Sequence, residues 1–412
     1  MKALLLAGGY GIRLYPITLR TPKVLLPVAG KPVIQHQIEM LKAAGIGKVI
    51  ISLNKNQKRI EEYFGEGSRF GVKIDYYYEH STGDEDKPGA IGAIHQVTTQ
   101  FGVGDYLILG SDNFIHGLDL RKMMEFHEEK KAHITLSLYQ TDNRYIIERN
   151  GMVGIDSNGK VKEFQEKPRI EYAISNLVSP AAYIWGRQFV EEHLPKYVEE
   201  RKKMKQKPDM IGHVYQYYAN KIPIYGFKYE GVWGDVGTPE TYIEINRLAF
   251  NLIPPSSGKA GKGVVIGKQV QIGKNVEIGK RTVIRGPVII EDKCKIAEDS
   301  VIGPYVYLIH DSQIGSKSFI SSSVVFERSR IGDGVHAENC IIDGEAVIED
   351  DSRIEGYAMI GYQTKAGKGS RILGNSKLWP RVELKNEAVI EGEIQTPIEY
   401  FSQELESSCF WK

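Results

Sequence analysis

Aliphatic residues recur every six positions through the second half of this chain. Ile266, Ile272, Ile278, Ile284, Ile290, Ile296, Ile302, Leu308, Ile314, Ile320 and Phe326 make eleven consecutive hits, and Gly267, Gly273, Gly279, Gly303 and Gly315 follow several of them. A helix repeats its apolar face at about 3.6 residues and a strand at 2, so neither explains a period of six. The pattern is that of a hexapeptide β-helix, in which each hexad forms one side of a triangular coil and its aliphatic residue points inward. A coil takes about 18 residues, so residues 264–362 allow about five coils. The register breaks after Phe326 and resumes at Ile342, Ile348, Ile354 and Ile360. The tail, "NSKLWPRVELKNEAVIEGEI", alternates without a strict period. Val288, Ile289, Val306, Tyr307, Val324 and Val325 lie beside the inward series, and those facing outward would make apolar faces. Such faces either pack within the chain or join coils of several chains; the expectation is a homo-oligomer through the β-helix.

Residues 251–263, "NLIPPSSGKAGKG", read as a linker because Pro, Ser and Gly dominate. The expected organisation is therefore a domain over 1–250, a linker over 251–263 and a repeat domain over 264–412. The first half alternates strand-like and helix-like segments. "MKALLLAG", "GKVIISL", "DYLILGSDN" and "HITLSLYQ" read as strands. "KPVIQHQIEMLKAAGI" reads as a helix, with Pro32 near its first turn and Gly45 at its end. This rhythm predicts an α/β domain with a mostly parallel, Rossmann-like sheet, whose ligands gather at the carboxyl ends of the strands.

"LLLAGGYGIRLYPITLRTPKVLLPVAGKP", residues 4–32, leaves the first such strand. Leu14 stands where a G-x-G-x-x-G fingerprint needs glycine, so this is not a dinucleotide loop, and it is not a G-x-x-x-x-G-K-[ST] loop either. A tight turn would use glycine for backbone freedom alone. Here Arg13 follows the glycines, Lys23 stands in a Pro-flanked stretch, and the loop's N–H groups can face an anion. Arg grips phosphate bidentately and Lys acts as a point charge.

Composition excludes other classes. The 53 basic and 52 acidic residues leave a net charge of +1, which gives no electrostatic case for nucleic acid or membrane. Nothing approaches a transmembrane run, and the opening residues are too short for a signal peptide, so a cytoplasmic protein is expected. Cys294, Cys340 and Cys409 are widely separated, with no zinc or disulfide pattern.

The opening stretch closely resembles the signature of the sugar-1-phosphate nucleotidylyltransferases, the nucleotide-sugar pyrophosphorylases, and is most similar to their mannose-1-phosphate guanylyltransferase branch. Many members carry a C-terminal left-handed hexapeptide β-helix, so the resemblance covers nearly the whole chain. It implies that the Gly8–Gly11 loop wraps the triphosphate, with Leu6, Ala7, Gly8, Gly9 and Gly11 all binding the nucleotide. Arg13 would bind its outer phosphates and Lys23 the reacting α-phosphate. Asp112 in "GSDN" and Asp235 in "GVWGDVGTP" would hold Mg2+, with Asp112 also at the nucleotide. Gly89 in "KPGAIGAI" would lie against base or sugar. Glu166 and Lys167 in "FQEKP" would hold the sugar hydroxyls and phosphate, with Gly154 and Asn176 lining the sugar pocket.

Two departures fall where base and sugar are selected. Ala181 stands where glycine is usual, and an acidic insertion, "STGDEDK", precedes "KPGAIGAI". The expected reaction joins GTP and mannose-1-phosphate, with UTP or dTTP plus glucose-1-phosphate as the alternative. A second, acetyltransferase site on the β-helix would need a base such as His310 or His336. A non-catalytic nucleotide-sugar sensor is disfavoured by the intact Arg13, Lys23, Asp112, Lys167 and Asp235.

Overall fold

The computed structural model describes residues 1–55, 57–79, 89–204, 210–254 and 263–395. The "STGDEDK" insertion, most of the 251–263 linker and Cys409 lie outside the described residues. The chain forms two compact units. One comprises residues 1–9 and 33–234, and the other residues 10–32 and 235–412.

The first unit is built on a ten-stranded sheet. Lys73–Tyr78, Lys48–Leu53, Lys2–Leu6 and Tyr106–Gly110 lie parallel in that spatial order. The chain thus runs from Lys2–Leu6 outward to one side, then returns to its other side at Tyr106–Gly110. That reversal is a topological switch point, where open parallel sheets bind ligands beyond the strand ends. Ala182–Trp185 runs antiparallel between Tyr106–Gly110 and Ile134–Gln140. The helix expected after Pro32 spans Val33–Ala43, and Gly45 ends it at φ 86° with its N–H on the Lys42 carbonyl. The core is a continuous apolar cluster in which Leu4, Ile108, Leu136 and Trp185 are fully buried. Its one indole there is satisfied, since Trp185 Nε1 donates to Tyr215 Oη at 3.2 Å.

The second unit contains the period-six repeat as an all-parallel stack, a left-handed parallel β-helix. Two- and three-residue strands pair with the coil above at nearly constant offset, as in Val283↔Val301 and Val288↔Val306. Corners are turned by single residues in the left-handed region. Gln269, Asn275, Arg281, Lys293, Asp299, Tyr305, Asp311 and Lys317 all have φ of 55–61° and fall on one six-residue register, with Pro287 at the position between Arg281 and Lys293. Buried hydroxyls tie coils together: Ser300 Oγ donates to the Gly315 carbonyl and Ser318 Oγ to that of Gly332, both at 2.8 Å.

Two expectations about the repeat need correction. Phe326 is not an inward residue. Val325 pairs with Leu308 and fills the coil, because the corner at Ser321–Ser323 is one residue short. Phe326 is buried at the next corner. A second shortening falls before Ile341, after which the inward series runs Ile342, Ile348, Ile354, Ile360. The tail also continues the stack, with Ala366, Ile372 and Leu378 fully buried in the same core and Glu383–Leu384 and Val389–Ile394 pairing onwards. Of the flanking apolar residues, Val288, Val306 and Val325 point into the coil. Ile289, Tyr307 and Val324 do not belong to that core, yet they are only 7%, 2% and 2% exposed. Residues 10–32 belong to the same unit and contribute to this cover: a Cβ on Gly30 would stand 3.4 Å from Ile289 Cδ1.

Candidate functional site

In the first unit the switch-point loop is held by side chains from the neighbouring strand end. Ala7 N–H donates to the Ser52 carbonyl and Ser111 N–H to that of Leu6. Asn54 Nδ2 donates to the Gly8 carbonyl at 3.1 Å, and Gln57 Nε2 to that of Gly9 at 2.8 Å. The N–H groups of Gly8 and Gly9 make no hydrogen bond among the described residues. Carbonyls engaged by side chains and amides without a hydrogen bond leave donors that an anion could take up. Glu79 closes in on this loop from the end of Lys73–Tyr78. Its carboxylate accepts from Ser52 Oγ at 2.9 Å, is 7% exposed, and would lie 2.4 Å from a Cβ on Gly8. Any side chain at Gly8 would have to displace that carboxylate.

Asp112 stands in the turn after Tyr106–Gly110. Its carboxylate accepts from Asn113 Nδ2 at 2.7 Å, and Asn113 Oδ1 accepts in turn from Trp233 Nε1 at 2.9 Å. Glu166 ends Val161–Glu166, opposite Gly151, with its carboxylate 3.7 Å from Lys167 Nζ. The ammonium of Lys167 is half exposed, on a residue whose φ is 50°. The hydroxyl of Tyr183 is buried and feels the charges of both Glu166 and Asp112. Burial raises its pKa first, and the charges of Glu166 and Asp112 raise it further. Gly154 lies within Gly151–Ile155, Asn176 Nδ2 donates to Asp142 Oδ1, and Gly89 opens the helix Gly89–Phe101. Ala181 is accommodated because it faces Gly110: a Cβ there would be 2.7 Å from the Ala181 methyl.

The second unit holds Gly11, Arg13, Lys23 and Asp235. Gly11 turns at φ 70°, and its carbonyl accepts from Leu14 N–H and Thr18 Oγ1, both at 2.8 Å. Lys23 packs directly on that turn: its Cβ would be 3.1 Å from a Cβ on Gly11. Lys23 is 8% exposed, whereas Arg13 is exposed. Asp235 ends Val232–Asp235, with its carboxylate pressed against Gly237, just before the helix Pro239–Phe250 that Thr238 caps. Among the described residues no group of three or more His, Cys, Asp and Glu could hold a metal, and no helix is long and apolar enough to cross a membrane. On the β-helix, His310 Nδ1 meets the Asp311 carboxylate at 2.9 Å and His336 stacks on Phe319.

Residues 2–251 match the family model described as "Nucleotidyl transferase". The chain belongs to the nucleotidyl transferase family. Residues 284–408 of this nucleotidyl transferase match a second model, "GMPPB C-terminal domain". It is 30% identical to a UTP–glucose-1-phosphate uridylyltransferase of Synechocystis sp., over 85% of this chain and 89% of that protein. It is 29% identical to mannose-1-phosphate guanylyltransferase 1 of Arabidopsis thaliana, over 88% and 91%. A solved Bacillus anthracis structure described as a glucose-1-phosphate thymidylyltransferase superposes with a TM-score of 0.53 at 27% identity, covering 63% of this chain and 98% of that one.

Sequence reasoning missed four features of this site. Asn54 and Gln57 follow an ordinary apolar strand and carry no motif. Glu79 is a single carboxylate at a strand end. Gly212 reads as a plain helix residue, yet a Cβ there would stand 2.0 Å from Glu166 Oε2, so it makes room for that carboxylate.

Proposed function

We propose that this chain transfers a guanylyl group from GTP to mannose-1-phosphate, giving a nucleotide-sugar and pyrophosphate. The observation that carries the reading is the Gly8–Gly9 loop at the switch point of the sheet, whose amides make no hydrogen bond among the described residues. An oxygen of the sugar phosphate attacks the α-phosphorus in line and pyrophosphate departs. The nucleophile is already an anion, so positioning and charge stabilisation carry the rate. Gly8, Gly9 and Gly11 would donate amides to the triphosphate, Arg13 would grip its outer oxygens, and Lys23 would meet charge developing at the α-phosphate. Glu166 would accept from sugar hydroxyls and Lys167 would pair with the sugar phosphate. Asp112 and Asp235 supply hard carboxylate oxygens suited to Mg2+, whose charge would screen the phosphates when bound.

Glu79 supports the choice of base. A buried carboxylate only accepts hydrogen bonds, and guanine offers two adjacent N–H donors where uracil and thymine offer one N–H between two carbonyls. The second model's description points the same way. The Synechocystis relative keeps UTP with glucose-1-phosphate as the alternative. Pyrophosphate release should be measured for four triphosphates against glucose-, mannose- and N-acetylglucosamine-1-phosphate, in the parent and in Glu79→Gln. GTP with mannose-1-phosphate should lead in the parent, and Glu79→Gln should lose roughly tenfold or more of its preference for GTP over UTP. A parent that prefers a pyrimidine triphosphate overturns the assignment.

A further inference from the structure

Arg20 is the last residue of the short helix Ile17–Arg20, three positions before Lys23. Its guanidinium is anchored by three successive coils of the β-helix. Nη1 donates to Glu327 Oε1 at 2.6 Å and Nη2 to Asp343 Oδ1 at 2.7 Å, and the group stacks on the Tyr362 ring at 4.8 Å. Asp343 is fully buried and stands at the coil corner that Phe326 occupies one coil earlier. Ile309 and Phe326 hold the equivalent position in the two preceding coils, and there a buried carboxylate has no counterpart. The carboxylate of Asp343 is matched to a residue more than three hundred positions away in sequence.

The same segment is fixed at its other points. Tyr15 meets the edge of Trp379 at 6.1 Å, and Lys377 Nζ donates to the Arg13 carbonyl at 3.4 Å. The Pro27 carbonyl accepts from Tyr242 Oη at 2.8 Å, and Ala29 N–H donates to Asn246 Oδ1 at 3.0 Å. Apart from the backbone of Arg13, these anchors leave the side chains of Arg13 and Lys23 to other partners.

We propose that Arg20 is a positioning residue, and that its three-coil anchorage holds the Gly11–Lys23 segment in the geometry that grips the triphosphate. The β-helix is then part of the apparatus for nucleotidyl transfer, besides any role in assembly. This rests on the reading of Arg13 and Lys23 as phosphate contacts, and the two can fail separately. If Lys23→Ala turns over normally, that reading fails whatever Arg20 does.

Removing Arg20 alone strands a buried carboxylate and threatens the fold, whereas neutralising a buried ion cluster as a whole is often harmless to stability. The test is therefore the triple variant Arg20→Met, Glu327→Gln, Asp343→Asn, beside the single Arg20→Lys. Melting temperature, kcat, KM for GTP and hydrogen exchange of the 10–32 peptides are compared with the parent. The triple variant should melt within a few degrees of the parent, lose roughly thirtyfold or more in kcat/KM for GTP, and exchange faster over 10–32 only. Arg20→Lys, which keeps the charge without the fork, should fall between. Parental kinetics in the triple variant overturn the proposal. If the triple variant does not fold, parental kinetics together with parental exchange in Arg20→Lys overturn it equally.

Discussion

Gly212→Ala separates the geometry of the sugar-phosphate contact from the stability of the fold. Gly212 lies in the first turn of Ile211–Tyr218, and the new methyl would stand 2.0 Å from Glu166 Oε2 and 2.8 Å from Phe164 Cε1. Ordinary contact begins near 3.4 Å, so the carboxylate must retreat by about 1.4 Å. Glycine to alanine in a helix gains up to about 1 kcal/mol in propensity, and crowding of the buried Phe164 costs about 1–3 kcal/mol. The net cost is at most about 3 kcal/mol, below the stability of about 5–15 kcal/mol of a typical domain, so the variant should fold. A misplacement of about 1 Å at a reacting site can cost about a hundredfold in rate. Steady-state pyrophosphate release should show kcat/KM for mannose-1-phosphate down by one to two orders of magnitude, with KM for GTP nearly unchanged. Glu166→Asp added to Gly212→Ala shortens the crowded side chain and should recover part of the loss. Parental kinetics for the sugar phosphate, in a variant that melts normally, would refute the placement of Glu166 at the substrate.

Lys23→Ala should lower turnover by roughly two orders of magnitude, as loss of a charge contact in the transition state does, and near-normal turnover would sink its role. Asp112→Asn and Asp235→Asn should each raise the magnesium concentration needed for half-maximal activity; unchanged magnesium curves in both would remove them as ligands. Burial pushes the His127 imidazole down to about 4, against the opposing charge of Asp105. Its contribution to stability is therefore complete above the ordinary value of 6.5 and is lost as pH falls towards 4, by up to about 3 kcal/mol. His127→Gln should flatten the dependence of denaturation midpoint on pH across that window, and an identical slope would contradict the account. Light scattering on the full chain should give a dimer or larger; a monomer ends the expectation of assembly.

The β-helix was legible because one physical requirement, an apolar side chain filling the coil, recurs at every hexad. Its exceptions were not legible. A corner shortened by one residue at Ser321–Ser323 moves the inward position from Phe326 to Val325, and both are apolar, so composition cannot tell them apart. The parallel sheet was readable from short apolar strands ending in glycine or polar turns. The site was readable where glycines and charges cluster in one stretch, as at 8–23. It was not readable where one distant residue matters for its shape or reach. Glu79 reaches Gly8 across the sheet, Gly212 yields space to Glu166, and Arg20 finds Asp343 through a fold that only long-range packing defines.

The most direct test of the central claim is a phosphorus NMR time course on the purified chain with GTP, mannose-1-phosphate and magnesium. The account predicts loss of the three triphosphate resonances and of the sugar monophosphate, with a coupled diphosphate-diester pair and pyrophosphate rising in a one-to-one ratio. Unchanged substrates, or release of inorganic phosphate without the diester pair, would contradict it.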